Sequence, residues 1–324
     1  MSKPHSSQQL IQQFILQFIR DEQLPADFET FATDYFLPLA DYLVHHRLQC
    51  QPNCEQAGQA TRLTPLVVGI NGAQGTGKST LSELLKRLLQ ARHLQCVVFS
   101  IDDLYLTRAE RASLARTVHP LLQTRGVPGT HDLAMGMNLL ASLKAADSGS
   151  HIAIPRFDKA TDDRCPEPHW PIHSGSVDVI IIEGWCVGAP TAVLSGDPIN
   201  TLEREHDADG RWRAFIETQL TEYQQLFAHI DKLLMLKAPS MESVIEWRTL
   251  QEQKLRAGTQ ADAADAANAM MNKAQLHWFI MHYERLTRMM LDTLPERADV
   301  VFDLDNDHRI VNARYRARHD LGHV

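Results

Sequence analysis

The chain has 324 residues, 44% apolar and 22% charged, with 40 acidic against 32 basic side chains and a formal charge of −8. That composition excludes a disordered, collagen-like or fibrous chain, and at about 150 residues per domain the length points to about two domains. A net acidic chain has no general attraction for nucleic acid or an anionic membrane, so an anionic ligand needs a local cluster of cations and backbone N–H groups.

Met1 to Ser7 precede no apolar signal core, and no run reaches the roughly 18 uncharged apolar residues of a membrane span. A cytoplasmic protein with no membrane partner is expected. Leu10, Ile11, Phe14, Ile15, Phe18 and Ile19 recur at helical spacing, and Phe28, Phe31, Tyr35, Leu39 and Leu43 predict a second helix over about 27–47. These stripes read as core. Five scattered cysteines do not form a disulfide framework, and the group His45, His46, Cys50 and Cys54 matches no common zinc spacing. Gln51 to Thr64, with Pro52 and Gly58, reads as a linker. Residues 1–60 are therefore expected to form a helical N-terminal extension, and 61–324 the main domain.

From there the pattern changes. Leu66–Ile70 reads as a buried strand, followed by a Gly-rich turn and a helix with Leu81, Leu84, Leu85, Leu88 and Leu89 on one side. Cys96–Ile101 reads as a second strand ending in Asp102 and Asp103, and Val177–Ile182 as a third ending in Glu183. Lys232–Leu236 and Asp299–Asp303 supply a fourth and a fifth. Strands alternating with helices predict an α/β fold with a doubly wound parallel sheet, whose ligands bind beyond the C-terminal strand ends. The stretch at about 104–176 is too long for a simple crossover and predicts a substrate-binding insertion. Gly258–Met270 is Ala/Asp-rich and reads as a mobile loop.

Gly72-Ala73-Gln74-Gly75-Thr76-Gly77-Lys78-Ser79 matches G-x-x-x-x-G-K-[ST], after a strand and before a helix as its chemistry requires. Its glycines let successive N–H groups, through Thr80, curl around a phosphate at a helix N-terminus. Lys78 can reach the β- and γ-phosphates, and the Ser79 hydroxyl can coordinate Mg²⁺. No N-K-x-D guanine-recognition sequence occurs. Glu183 stands where an Asp is usual, and its carboxylate can still serve the metal side. Asp102 or Asp103 could accept a proton from an attacking hydroxyl, and strand alternation would point only one of them at the phosphates. Arg125, His131, Arg156, Asp158 and Arg164 crowd the insertion, which suits a small anion held by planar guanidinium groups. Arg248, Lys254 and Arg256 lie on a basic helix that could close over the γ-phosphate.

Four segments carry a resemblance. Ser100-Ile-Asp-Asp-Leu-Tyr-Leu-Thr107, Arg125-Gly-Val-Pro-Gly-Thr-His-Asp-Leu133, Pro155-Arg-Phe-Asp-Lys159 and Ile182-Glu-Gly-Trp185 resemble the signature set of the D-glycerate 3-kinases. That family is similar in turn to uridine kinase, phosphoribulokinase and bacterial pantothenate kinase. The resemblance covers about Leu66 to Asp305. It implies a P-loop kinase sheet of five parallel strands with the first in the centre, and Mg-ATP-dependent phosphorylation of a hydroxyl on a small molecule. Asp102 matches the catalytic base, Glu183 is a family trait, and a basic lid at about 241–270 carries Arg248, Lys254 and Arg256. Asp103, Tyr105 and the insertion cluster are expected on the acceptor side. Glycerate is the first expectation for acceptor. The rivals are a nucleoside, pantothenate or another sugar acid, and an ATP-binding regulator without fast turnover.

Overall fold

The computed structural model describes residues 7–49, 64–258 and 273–316. The opening helical repeats form α1 (Ser7–Asp21), α2 (Phe28–Phe31) and α3 (Leu37–Gln49), the last two joined through a π turn at Ala32–Phe36. Then come β1 (Leu66–Gly72), α4 (Lys78–Gln90) and β2 (Cys96–Ser100). The insertion holds α5 (Arg108–Thr117), α6 (Leu133–Ala145) and four short strands: β3 (His151–Ala153), β4 (Phe157–Asp158), β5 (Asp163–Arg164) and β6 (Ile172–Ser174). The chain continues through β7 (Val179–Gly184), α7 (Thr201–His206), α8 (Arg211–Phe227) and β8 (Lys232–Lys237). It closes with α9 (Met241–Gly258), α10 (Lys273–Thr293), β9 (Val300–Leu304) and β10 (Ile310–Tyr315).

The main sheet runs β10-β9-β8-β1-β7-β2. Its inner strands are runs of Val, Ile and Leu buried on both faces, the mark of a parallel sheet covered by helices. Alternation divides their side chains between two cores. Leu66, Val68 and Ile70 join the core under α1, α3 and α4, whereas Val67, Ile180 and Ile182 join the core under α6, α8 and α10. Tyr35 and Phe36 stack edge-on against Phe302 of β9, with ring centroids 6.0 Å away in each case. The N-terminal helices therefore pack on the sheet face that also carries α4. Among the described residues no helix is long and apolar enough to cross a membrane.

The fold class is the expected one, and β1 lies at the centre of five parallel strands, but three details differ. A sixth strand, β10, pairs antiparallel with β9 at the sheet edge. Its Ile310-Val-Asn-Ala-Arg-Tyr315 is mostly exposed and lacks the apolar run by which the other strands announce themselves. The third and fifth strands are shifted toward the C-terminus, to Val179–Gly184 and Val300–Leu304. Asp102 and Asp103 do not end a strand: they sit in a 3-10 turn, Ile101–Leu104, capped by the Ser100 hydroxyl accepting from Asp102 N–H. Strand alternation therefore does not decide between them. The linker, the Cys50 and Cys54 part of the zinc reading, and most of the Ala/Asp-rich loop lie outside the described residues.

Candidate active site

The Gly-rich turn leaves β1 and enters α4 beyond the C-terminal edge of the sheet. Gly75 and Gly77 adopt φ of 84° and 85°, a left-handed backbone natural only to glycine. A Cβ on Gly75 would also stand 2.8 Å from Trp247 Cβ, so α9 presses directly on the turn. Thr76, buried behind it, ties the loop by donating its hydroxyl to Ala73 O at 2.9 Å. Gly77 offers α4 no side-chain cap. The first N–H groups of the helix, from Lys78 onward, are thus left for an anion, where the helix dipole also favours negative charge.

Ser79 and Glu183 meet across this edge, with the Ser79 hydroxyl donating to Glu183 Oε1 at 3.0 Å. Glu183 is buried, and among the described residues its Oε2 makes no hydrogen bond. Burial raises its pKa, opposed chiefly by the charge of Lys78. An oxygen pair with one buried lone-pair site unclaimed, beside a hydroxyl and a phosphate cradle, is a donor set that fits Mg²⁺.

Asp102 faces the same cradle. Tyr105 donates its hydroxyl to Asp102 Oδ1 at 2.8 Å, and Lys159 donates to Oδ2 at 2.7 Å. Burial alone would raise its pKa, but the cations Lys159 and Lys78 outweigh that and hold it well below the usual carboxylate range. Asp103 turns the other way. It accepts from Arg156 Nη1 at 2.7 Å and from Phe157 N–H at 3.2 Å, and burial raises its pKa. The two neighbours are thus separated by the turn: one carboxylate on the phosphate side, the other anchoring β4.

The 125–132 segment is pinned by aromatic side chains from three elements. Trp185 Nε1 donates to Gly126 O at 3.0 Å, Tyr283 to Arg125 O at 3.0 Å, and Gly129 N–H donates to the Tyr223 hydroxyl at 3.1 Å. Tyr223 also meets His131 Nδ1 at 2.5 Å, and the His131 ring stacks on Tyr105 at 4.5 Å. Burial lowers the His131 pKa to about 4, so the ring is neutral at working pH.

The insertion arginines do not form one free cluster aimed at an anion: each meets an internal carboxylate first. Arg125 bonds Asp162, Arg156 bonds Asp103, and Arg164 bonds Asp132 at 3.2 Å and Tyr105 O at 3.0 Å. Asp158 closes a local turn by accepting from Ala160 N–H and the Thr161 hydroxyl, both at 2.9 Å. Arg248 bonds Glu252 one turn along α9, at 2.9 Å. The side chains of Lys254 and Arg256 lie outside the described residues.

Four residues escaped the sequence reading. Lys159 gives no signal of its own beyond its place in Pro155–Lys159. Arg111, fully buried, bridges Leu106 O, Gln123 O and Asp162 and so braces the insertion. Trp247 and His308 stack at 4.1 Å and border a cavity of about 280 Å³ above Gly75, Gly77 and Lys78. A lone Trp on a helix and a His in a loop 61 positions later give no pattern that spacing could detect.

No protein-family model matches the chain. It is 36% identical over 204 residues to an uncharacterized kinase, mug58, of Schizosaccharomyces pombe, across 60% of this chain and 72% of that protein. It is 30% identical over 210 residues to the chloroplastic D-glycerate 3-kinase of Arabidopsis thaliana, across 62% of this chain and 44% of that protein. Its fold matches the D-glycerate 3-kinase structure from Cryptococcus neoformans with a TM-score of 0.68 at 24% identity, over 87% of this chain and 99% of the other.

Proposed function

Because the chain belongs to the P-loop kinase family that contains the D-glycerate 3-kinases, we propose that it transfers the γ-phosphoryl group of ATP to a hydroxyl of D-glycerate, giving 3-phosphoglycerate and ADP. The observation that carries this reading is the Asp102 carboxylate, fixed by the Tyr105 hydroxyl and Lys159 and within electrostatic reach of Lys78 in the cradle. A pure nucleotide binder has no use for a base held at that point.

In the reaction, the acceptor hydroxyl oxygen forms a bond to the γ-phosphorus, and the bond from phosphorus to the β,γ-bridging oxygen breaks. The electron pair leaves with ADP, and the hydroxyl proton passes to Asp102. The cradle from Gly72 to Thr80 holds the phosphates through backbone N–H groups, and Lys78 offsets the charge gathering on the transferred group. Ser79 and Glu183 would hold a Mg²⁺, which would supply positive charge to offset that of the phosphates. Arg248 stands on α9 above the cradle and serves the transition state by exchanging Glu252 for the phosphoryl oxygens. The expected lid at 241–270 also counts Lys254 and Arg256, whose side chains lie outside the described residues.

The insertion at 104–176 covers the acceptor. Arg156 and Lys159 are the cations best placed to trade an internal partner for the glycerate carboxylate, with side chains 47% and 60% exposed. Both cations lie toward solvent, so an incoming carboxylate can reach them without displacing the less exposed aspartates. Arg125 and Arg164 are more enclosed and shape the wall with Asp103, Tyr105, His131 and Asp158.

The test is ADP release from Mg-ATP across a panel of hydroxy acids, nucleosides and pantothenate. D-glycerate should give the highest kcat/KM. A preference for an uncharged nucleoside would overturn the acceptor, and no turnover with any alcohol would overturn the kinase.

A further inference from the structure

Arg111 of α5 has a side chain only 1% exposed. Burying a guanidinium is costly unless it is paired and its donors are taken, so the partners it gathers matter. Nε donates to Leu106 O at 3.2 Å, Nη1 to Gln123 O at 2.9 Å and Nη2 to Asp162 O at 2.7 Å. Nη2 also lies 3.0 Å from Asp162 Oδ2, while Arg125 Nη1 bonds Oδ1. One side chain thus ties three segments that are distant in sequence.

Two of those ties end beside a partner of Asp102. Leu106 directly follows Tyr105, whose hydroxyl donates to Asp102 Oδ1. Asp162 ends the turn between β4 and β5 that carries Lys159, the donor to Oδ2. That turn has little to hold it from within. β4 and β5 pair through Phe157–Arg164 and Asp158–Asp163, and so short a hairpin is marginal alone. Lys159, Ala160 and Thr161 are exposed, so the turn meets the interior at Asp162. There the chain takes φ 56°, a left-handed conformation that Asp and Asn tolerate better than most residues. The buried Phe157 ring completes the joint, with the guanidinium carbons of Arg111 and Arg125 5.8 and 5.7 Å from its centroid.

We infer that Arg111 and Asp162 are a positioning pair, which fixes the turn after β4 so that Lys159 is delivered to Asp102. The same guanidinium holds the chain beside Tyr105, so both partners of the base are set on one frame. The inference rests on the reading of Asp102 as the base and Lys159 as an acceptor cation. A merely structural pair would act on stability alone. A positioning pair acts on the acceptor side of the kinetics and spares the nucleotide side.

The experiment uses Asp162→Asn, which keeps the backbone carbonyl that Arg111 bonds and removes the charge paired with it. Steady-state kinetics are run with the alcohol that the wild-type chain turns over fastest, so a different acceptor from glycerate does not disturb the result. Acceptor KM should rise about tenfold, with kcat within about threefold and KM for ATP within about twofold. In a Lys159→Met background the same substitution should add less than about twofold, because the group it acts through is gone. Arg111→Lys keeps the charge and loses the planar fork, and should show the same split between the two substrates; if it does not fold, Asp162→Asn decides alone. An unchanged acceptor KM, equal loss for both substrates, or full additivity with Lys159→Met overturns the assignment. Tryptic cleavage after Lys159 reads the turn without any turnover. It should quicken about tenfold in Asp162→Asn, as a released turn becomes open to the protease, and an unchanged rate overturns the assignment. A wild-type chain that phosphorylates no alcohol overturns the kinase reading itself, and the cleavage rate then decides the positioning pair separately.

Discussion

Lys159 Nζ lies 2.7 Å from Asp102 Oδ2, the carboxylate oxygen that the Tyr105 hydroxyl leaves open. The contact is unequal, since the lysine side chain is 60% exposed and the aspartate 24%. The ammonium can move toward solvent, whereas the carboxylate stays where the turn puts it. On the proposed reading, an anionic acceptor would compete with Asp102 for Lys159 as it binds.

Removing that cation should show in the pH profile. Lys159 is the larger of the two charges that depress the Asp102 pKa. In Lys159→Met the acid limb of kcat/KM for the acceptor should move to higher pH, because the carboxylate then protonates more readily. The acceptor KM should rise as well, with KM for ATP little changed. An acid limb that stays in place would separate Lys159 from Asp102 in function.

Asp102 and Asp103 should respond differently to the same substitution. Asp102→Asn removes proton acceptance and should lower kcat by roughly 10²–10⁴ with ATP affinity nearly intact. Asp103→Asn loosens Arg156 and β4, so its effect should fall on the acceptor KM and on thermal stability. Steady-state kinetics with both substrates varied separates the two; a larger kcat loss in Asp103→Asn would exchange their roles.

Arg156→Ala should raise KM for an anionic acceptor by the equivalent of about 1.5–3 kcal/mol, the worth of a hydrogen bond to a charged group. KM for ATP should hold. Equal damage to both would place Arg156 on the nucleotide side.

Two buried histidines make stability depend on acid. Burial lowers the pKa of both His131 and His282 to about 4, from 6.5. Between those values the unfolded chain binds protons that the folded chain refuses, so stability rises with pH through this window and is lost as pH falls from 6.5 toward 4. Each ring contributes roughly 3 kcal/mol over the full window. Melting temperatures from pH 7 to 4.5 should fall, and His282→Leu should flatten the slope. A slope unchanged in that variant would assign the acid sensitivity to other groups.

Local signals carried much of this architecture. The phosphate cradle is eight consecutive residues, with glycines at positions that the backbone now shows to need positive φ. The buried strands declared themselves by unbroken Val, Ile and Leu. What stayed hidden arises from contact between distant segments. Arg111 reads as one more charge on a polar helix until Gln123 and Asp162 fold around it. Trp247 and His308 become a pair only when α9 and the loop after β9 meet. The separation of Asp102 from Asp103 depends on a 3-10 turn, and a rule built on strand alternation could not foresee it.

The proposed reaction moves a phosphoryl group from ATP to a hydroxyl of D-glycerate. Phosphorus NMR of a reaction containing Mg-ATP and D-glycerate tests it most directly, run in parallel with Lys78→Ala. The predicted result is ADP together with one new phosphomonoester at the 3-position of glycerate, and no product from Lys78→Ala despite a wild-type melting curve. A wild-type reaction that leaves glycerate unphosphorylated, or a folded Lys78→Ala that turns over at the wild-type rate, would contradict it.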